Sequence, residues 1–125
     1  MPTQARKDIP TDELFNQYIE VVNRVIAENR DGLYGKSANL WSKKFADEPI
    51  AVGVYDRDAD TPHHWYTLKL RDSQLTLVDR IKDPDAKIKW KVKEDHLNHT
   101  INNADEYVKN PMKLDLDWIK TRVGF

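Results

Sequence analysis

Between Lys87 and Lys93 the chain alternates without a break, with Lys87, Lys89, Lys91 and Lys93 on one side and Ile88, Trp90 and Val92 on the other. A period of two belongs to a β-strand, whose successive side chains point to opposite faces. Unpaired lysines resist burial and a row of Ile, Trp and Val resists exposure. The segment therefore predicts a strand with one face on a core and the other in water. Its lysines also suit an edge strand guarded against further pairing. A sheet that is wet on one side needs a cover on the other, and the remaining sequence supplies helices to provide it.

Pro10-Thr11 opens the first of these, with Thr11 as the expected N-cap and Asp12 and Glu13 at the positive end of the helix dipole. Leu14, Tyr18, Val21, Val22, Val25 and Ile26 follow at the spacing of an amphipathic helix, and Gly32 is a suitable stop. Residues 34–47 have rough helical spacing at Leu40, Trp41 and Phe45, which predicts one or two short helical turns before Glu48-Pro49. The period then drops to two. Ile50, Val52 and Val54 read as one strand, Tyr66, Leu68 and Leu70 as a second, and residues 74–79 as a third after a tight turn at Asp72-Ser73. The Lys87–Lys93 strand comes fourth, after a turn at residues 82–85.

A second helix starts at Glu94-Asp95, with Leu97, Ile101, Ala104 and Val108 as its stripe and Tyr107 at the edge, and Asn110-Pro111 ends it. Leu114, Leu116 and Trp118 alternate with Asp115 and Asp117 as a fifth strand. The order is helix, short helix, four strands, helix, strand. Clustered strands before a returning helix predict an α+β fold: a five-stranded, mostly antiparallel sheet with helices packed on one face. Residues 1–10 read as a flexible polar tail and residues 11–125 as a single domain, the size expected of one core.

Composition narrows the function by exclusion. The chain has 20 Lys and Arg against 21 Asp and Glu, so net charge argues for neither nucleic acid nor an anionic membrane as partner. There is no cysteine, which removes thiol nucleophiles, thiolate metal sites and disulfides, and fits a reducing compartment. No signal-peptide pattern and no apolar run of about 18 residues is present, so a cytoplasmic protein without stable membrane insertion is expected.

The polar clusters fail as catalytic or metal sites on spacing. His96 and His99 can share a helix face, but no further ligand stands at a standard interval. His63 and His64 are adjacent, and neighbours on a strand face opposite ways. Asp56, Asp58 and Asp60 resemble the start of a calcium loop, yet Thr61 and Thr67 stand where its Gly and Glu belong. The lysine row lacks aromatic residues on its own face, since Trp90 lies opposite. No phosphate loop or nucleophile elbow occurs. The expectation is a protein that is not an enzyme and needs no cofactor or metal.

One resemblance sharpens this. An amphipathic first helix is followed by the strand IAVGVYD, then HWYTLKLRD, QLTLVD, the turn and strand PDAKIKWKV, the helix start EDHLNHTI and, after Pro111, MKLDLDWI. In order and pattern, from Ile50 through Trp118, this resembles the sterol carrier protein type 2-like family. The resemblance implies helices over one face of a five-stranded sheet, an apolar tunnel between the layers, and binding of fatty acyl chains, sterols or other lipids without a metal. Two departures stand out. The family carries a Gly-Lys-rich segment around its last strand, where this chain has NPMKLDLDWIK, and it closes with a helix over the tunnel, where this chain reaches Phe125. Either the short tail takes that helix's place or the cavity is more open.

The expected function is thus a non-catalytic module holding a small apolar ligand between sheet and helix. Trp90, Leu97, Ile101, Tyr107, Leu116 and Trp118 would line the site, with Phe125 as a lid. The alternative is a homo-oligomeric interaction module of the same fold with a filled core. An enzyme on a bent-sheet scaffold, using His64, His96 or His99, ranks last.

Overall fold

The computed structural model describes residues 10–114. The first helix, α1 (Thr11–Glu28), buries Leu14, Phe15, Tyr18, Ile19, Val22, Val25 and Ile26. Its N-cap is Pro10 rather than Thr11, which is the first helical residue and turns its hydroxyl to Glu94, 3.3 Å away. Residues 34–47, expected to form short turns, belong largely to a full helix, α2 (Leu33–Lys44), which buries Tyr34, Ser37, Ala38 and Trp41. Ser37 satisfies its hydroxyl on the Leu33 carbonyl at 2.7 Å, so a polar residue can sit on that buried face.

Four strands follow: β1 (Ile50–Tyr55), β2 (His64–Arg71), β3 (Gln74–Asp79) and β4 (Ile88–Lys93). They form a sheet in the order β3-β2-β1-β4. The β1–β2 and β2–β3 pairs are antiparallel, but β4 lies parallel to β1, with Ile50 opposite Ile88 and Val54 opposite Val92. This corrects the expected five-stranded, mostly antiparallel sheet: the described sheet has four strands and is mixed. The fifth strand was expected to begin around Met112, but Pro111–Lys113 forms a 3-10 turn, and the rest of that segment lies outside the described residues.

The physical reason is a crossover. β3 ends with Asp79 paired to Thr67, while Thr67 stands opposite Ala51 and Ala51 opposite Lys89. Residues 80–87 therefore pass across the sheet, along that row, instead of turning back beside β3. Thr67 pins the crossing strand: its hydroxyl donates to the Ile81 carbonyl at 2.6 Å and accepts from the Asp83 N–H at 3.1 Å. Both contacts lie on the sheet face away from the helices. Ala51 and Gly53 keep that face low, and a side chain at Gly53 would come within 2.9 Å of Pro62.

The helix-facing side is the core. Ile50, Val52, Val54, Tyr66, Leu68, Leu70, Leu75, Trp90 and Val92 meet the apolar stripes of the helices in one continuous cluster. The second predicted helix is split by Asn103 into α3 (Glu94–Asn102) and α4 (Ala104–Lys109). The Asn103 N–H and side-chain amide both bond to the carbonyl of His99, a local alternative to continuing the helix. The Lys113 ammonium then ties the 3-10 turn to Glu106 on α4.

At the far edge, α1 holds β3 directly. The Asn23 amide donates to the Leu75 carbonyl at 3.0 Å, and its oxygen accepts the Leu75 N–H at 2.7 Å. Antiparallel alternation turns the Leu75 backbone away from β2, so Asn23 occupies the place of a neighbouring strand there. Asn23→Ala should therefore lower stability by about 1–3 kcal/mol, since two half-buried backbone groups lose their partner. Urea unfolding, with an unchanged m-value, is the check.

Candidate functional site

Four of the seven sequence-predicted ligand residues, on β4, α3 and α4, lie in or against the core cluster. Trp90, Leu97 and Tyr107 are almost fully buried in the core cluster, and Ile101 packs half-buried against it. Leu116, Trp118 and Phe125 lie outside the described residues. α3 reaches this cluster because β4 runs straight into it at Glu94, so the strand's apolar face and the helix's apolar stripe continue one another.

The layer around Trp90 and Tyr107 is aromatic. The Tyr18 ring lies 6.1 Å from that of Trp90 and 5.9 Å from that of His96, and His96 meets Tyr107 edge-on at 5.9 Å. His99 packs on the same tyrosine at 5.7 Å, and its Nδ1 is hydrogen-bonded to the Tyr107 hydroxyl at 2.7 Å. The two histidines thus brace the wall of the layer. Among the described residues no group of His, Asp or Glu is arranged to hold a metal ion.

A second cluster gathers at the start of α1, where the C-terminal ends of β1 and β4 meet the beginning of β2. The Tyr66 hydroxyl donates to Asp12 at 2.7 Å while its ring stacks on Phe15, with centroids 4.1 Å apart. Arg80 approaches Asp12 at 3.8 Å. Glu94 accepts from Thr11 and faces His63 at 3.8 Å, beyond hydrogen-bond distance. His63 precedes the strand, and so its Nδ1 comes within 2.5 Å of that of His64, a contact the alternation rule did not foresee. Burial, followed by the bond to Asp12, pushes the Tyr66 hydroxyl well above the usual tyrosine range. A tyrosine held so firmly neutral serves as a donor to Asp12 and is a poor base at neutral pH.

The lysine row lies on the face crossed by residues 80–87. Trp65 shares that face, in the row Trp65–Gly53–Lys91, so an aromatic does accompany the lysines. It is already engaged: Lys82 stands 4.4 Å from its ring centre and Gly53 sits beneath it. Lys91 approaches Asp60 at 3.9 Å. In the Asp56–Asp60 loop, Asp58 accepts the Asp60 N–H at 2.9 Å, which is turn chemistry.

Two concavities mark the surface, the second of them lined in part by Ile101. One, of about 420 Å³, opens between the end of α1, the start of α2 and the β2–β3 turn, and is lined by Arg30, Lys36, Asn39 and Gln74 among others. The other is a shallow depression around Arg24 and residues 101–106. Sequence reasoning named none of the first cavity's lining residues as functional, although Gly35 inside a helical pattern and the Asp72-Ser73 turn were visible signals. Compared with known protein families, curated proteins and solved structures, the chain matches none.

The Tyr66 geometry has a pH consequence. Its folded-state pKa lies above the ordinary value of 10.0, so the folded state keeps a proton that the unfolded state releases. Stability should be unaffected below about pH 10 and fall as pH rises beyond it. Tyr66→Phe should flatten that alkaline limb, as read from urea midpoints across the pH range.

Proposed function

We propose that the chain is a non-catalytic binding module that holds an apolar ligand, a fatty acyl chain or similar lipid, in the layer between β4 and α3–α4. One observation carries this reading. Trp90, Leu97 and Tyr107 belong to one buried apolar and aromatic cluster with Ile101 packed against it, and the outer edge of β4 is paired to no other described strand. Half-buried Ile88, Ile101 and Val108 flank the buried cluster and are the side chains that can give way to an entering chain. Binding would be driven by removal of ligand surface from water, at roughly 25 cal/mol per Å² before the costs of association. The proposal accords with the pattern-level resemblance to sterol-carrier-type proteins, and with a site whose polar groups, His96, His99 and Tyr107, are occupied with one another.

Trp90 is an internal reporter. Titration with palmitate, oleate or cholesterol should shift tryptophan emission with micromolar midpoints, and Trp90→Phe should abolish most of that change. Ile101→Trp should block binding while leaving the fold intact by circular dichroism. Absence of binding to all three ligands would overturn the proposal.

A second reading, self-association, is favoured by the β3 edge. Alternation aims the Leu77 backbone away from β2 as it does that of Leu75, but Asn23 covers only Leu75. Val78 at the strand's irregularity is 49% exposed and Ile81 beyond it 62%. A stable dimer by light scattering that Val78→Lys dissociates would support this reading in place of the first.

A further inference from the structure

We infer that the 420 Å³ cavity between α1, α2 and the β2–β3 turn is a second binding site, one for a small polar molecule bearing a phosphate or carboxylate group. Its volume falls within the range of small-ligand pockets. Its chemistry differs from that of the aromatic layer, because Arg30, Lys36, Asn39, Ser73 and Gln74 line it beside Ile26, Ala27 and Gly35.

Three observations converge on this cavity. The first is how its cations come together. Gly35 lies so close to the end of α1 that a Cβ there would stand 2.3 Å from both the Arg30 Cα and the Asn29 carbonyl oxygen. That close approach sets the first turn of α2 against the residues that directly follow α1 and places Arg30 and Lys36 in one lining. The second is charge. Among the described residues neither cation is matched by an ion pair, whereas Arg24, on the last two turns of α1, is paired twice. Asp72 is the one acid in the lining, so two positive charges face one negative.

The third is the wall opposite. Asp72 and Ser73 have φ of 52° and 62°, the positive-φ non-glycine residues of the described chain, and both line the cavity. A two-residue hairpin of this shape prefers Asn-Gly. Here the turn is held by α2: the Ser42 hydroxyl accepts the Ser73 N–H at 2.8 Å. Neighbouring structure thus keeps a costly turn that presents the Ser73 and Asp72 side chains to the cavity, a pattern that accompanies binding sites. Arg30 supplies a planar fork for an oxyanion and Lys36 a mobile point charge, while Asn39, Ser73 and Gln74 can hydrogen-bond the rest of the molecule.

The test is an amide NMR titration of the full chain with pyrophosphate and, separately, citrate at constant ionic strength. Saturable shifts are expected at Gly35, Lys36 and Ser73. Arg30→Ala with Lys36→Ala should weaken them about tenfold or more, the loss of one or two charge-assisted hydrogen bonds. Lys43→Ala with Lys44→Ala removes the same charge from the far end of α2 and should leave the affinity unchanged. All four positions are exposed, and the same spectra report whether each variant is folded. Tighter binding of one probe would identify phosphate or carboxylate as the recognised group. Absence of saturable shifts with both probes, or equal weakening in both double variants, would overturn the site.

Discussion

The Thr67 hydroxyl is the point on which the arrangement of the sheet turns. It is buried on the face away from the helices and bonded on both sides to the segment that crosses there. That crossing carries the chain from β3 at one edge to β4 at the other and lays β4 parallel beside β1. Without it, Trp90 and Val92 would not extend the apolar face of β1, and α3 would not start where it packs along α1. A hydroxyl suits this role because it can donate and accept at once, satisfying the Ile81 carbonyl and the Asp83 N–H together. Valine would fill a similar space and make neither bond.

α1 is the second organiser, and it works differently at each end. At its start Asp12 and Phe15 fix Tyr66, through a charge-assisted hydrogen bond and a ring stack. Further along, Asn23 pairs with the Leu75 backbone, and just past its end Asn29 and Arg30 meet the beginning of α2. Between these polar anchors the buried residues of the helix make one apolar stripe. The anchors set where the helix lies on the sheet, while the stripe supplies most of the burial. Hydrophobic contact alone is not directional enough to choose among neighbouring registers.

Much of this was legible in the chain. Period-two alternation identified all four described strands and the faces they bury, since Ile50, Tyr66, Leu75 and Trp90 reach the core as their spacing implies. Alternation says which way a side chain points, however, and not which strand stands beside it. The parallel β4 was therefore invisible, because it depends on Thr67, a residue whose partners are 14 and 16 positions away. The same holds for sites. Trp90, Leu97, Ile101 and Tyr107 could be grouped from the sequence because they lie on adjoining elements. Arg30, Lys36 and Ser73 could not, because only the close approach at Gly35 and the docking of the turn on Ser42 bring them together. The full length of α2 is hidden in residues 34–47 for a related reason: Gly35 and Ser37 weaken the helical pattern locally, and tertiary packing of Tyr34 and Trp41 restores it.

The two sites differ in what the fold must give up to fill them. The aromatic layer is close-packed where it is described, so an acyl chain entering there has to displace Ile101 or its half-buried neighbours and recover that loss through its own burial. Ligand length should then matter, because each further methylene adds about 0.8 kcal/mol of transfer free energy against a displacement cost that is largely fixed. The polar cavity needs no such opening: it stands between elements already held apart by a helix junction and an anchored turn. Its occupant would replace water on exposed cations, which limits affinity and makes it sensitive to salt. α1 touches both sites, contributing Tyr18 to the aromatic wall and Ile26 and Ala27 to the cavity. A helix whose position is fixed by hydrogen bonds to β2 and β3 transmits little strain as movement, so the two sites should bind independently.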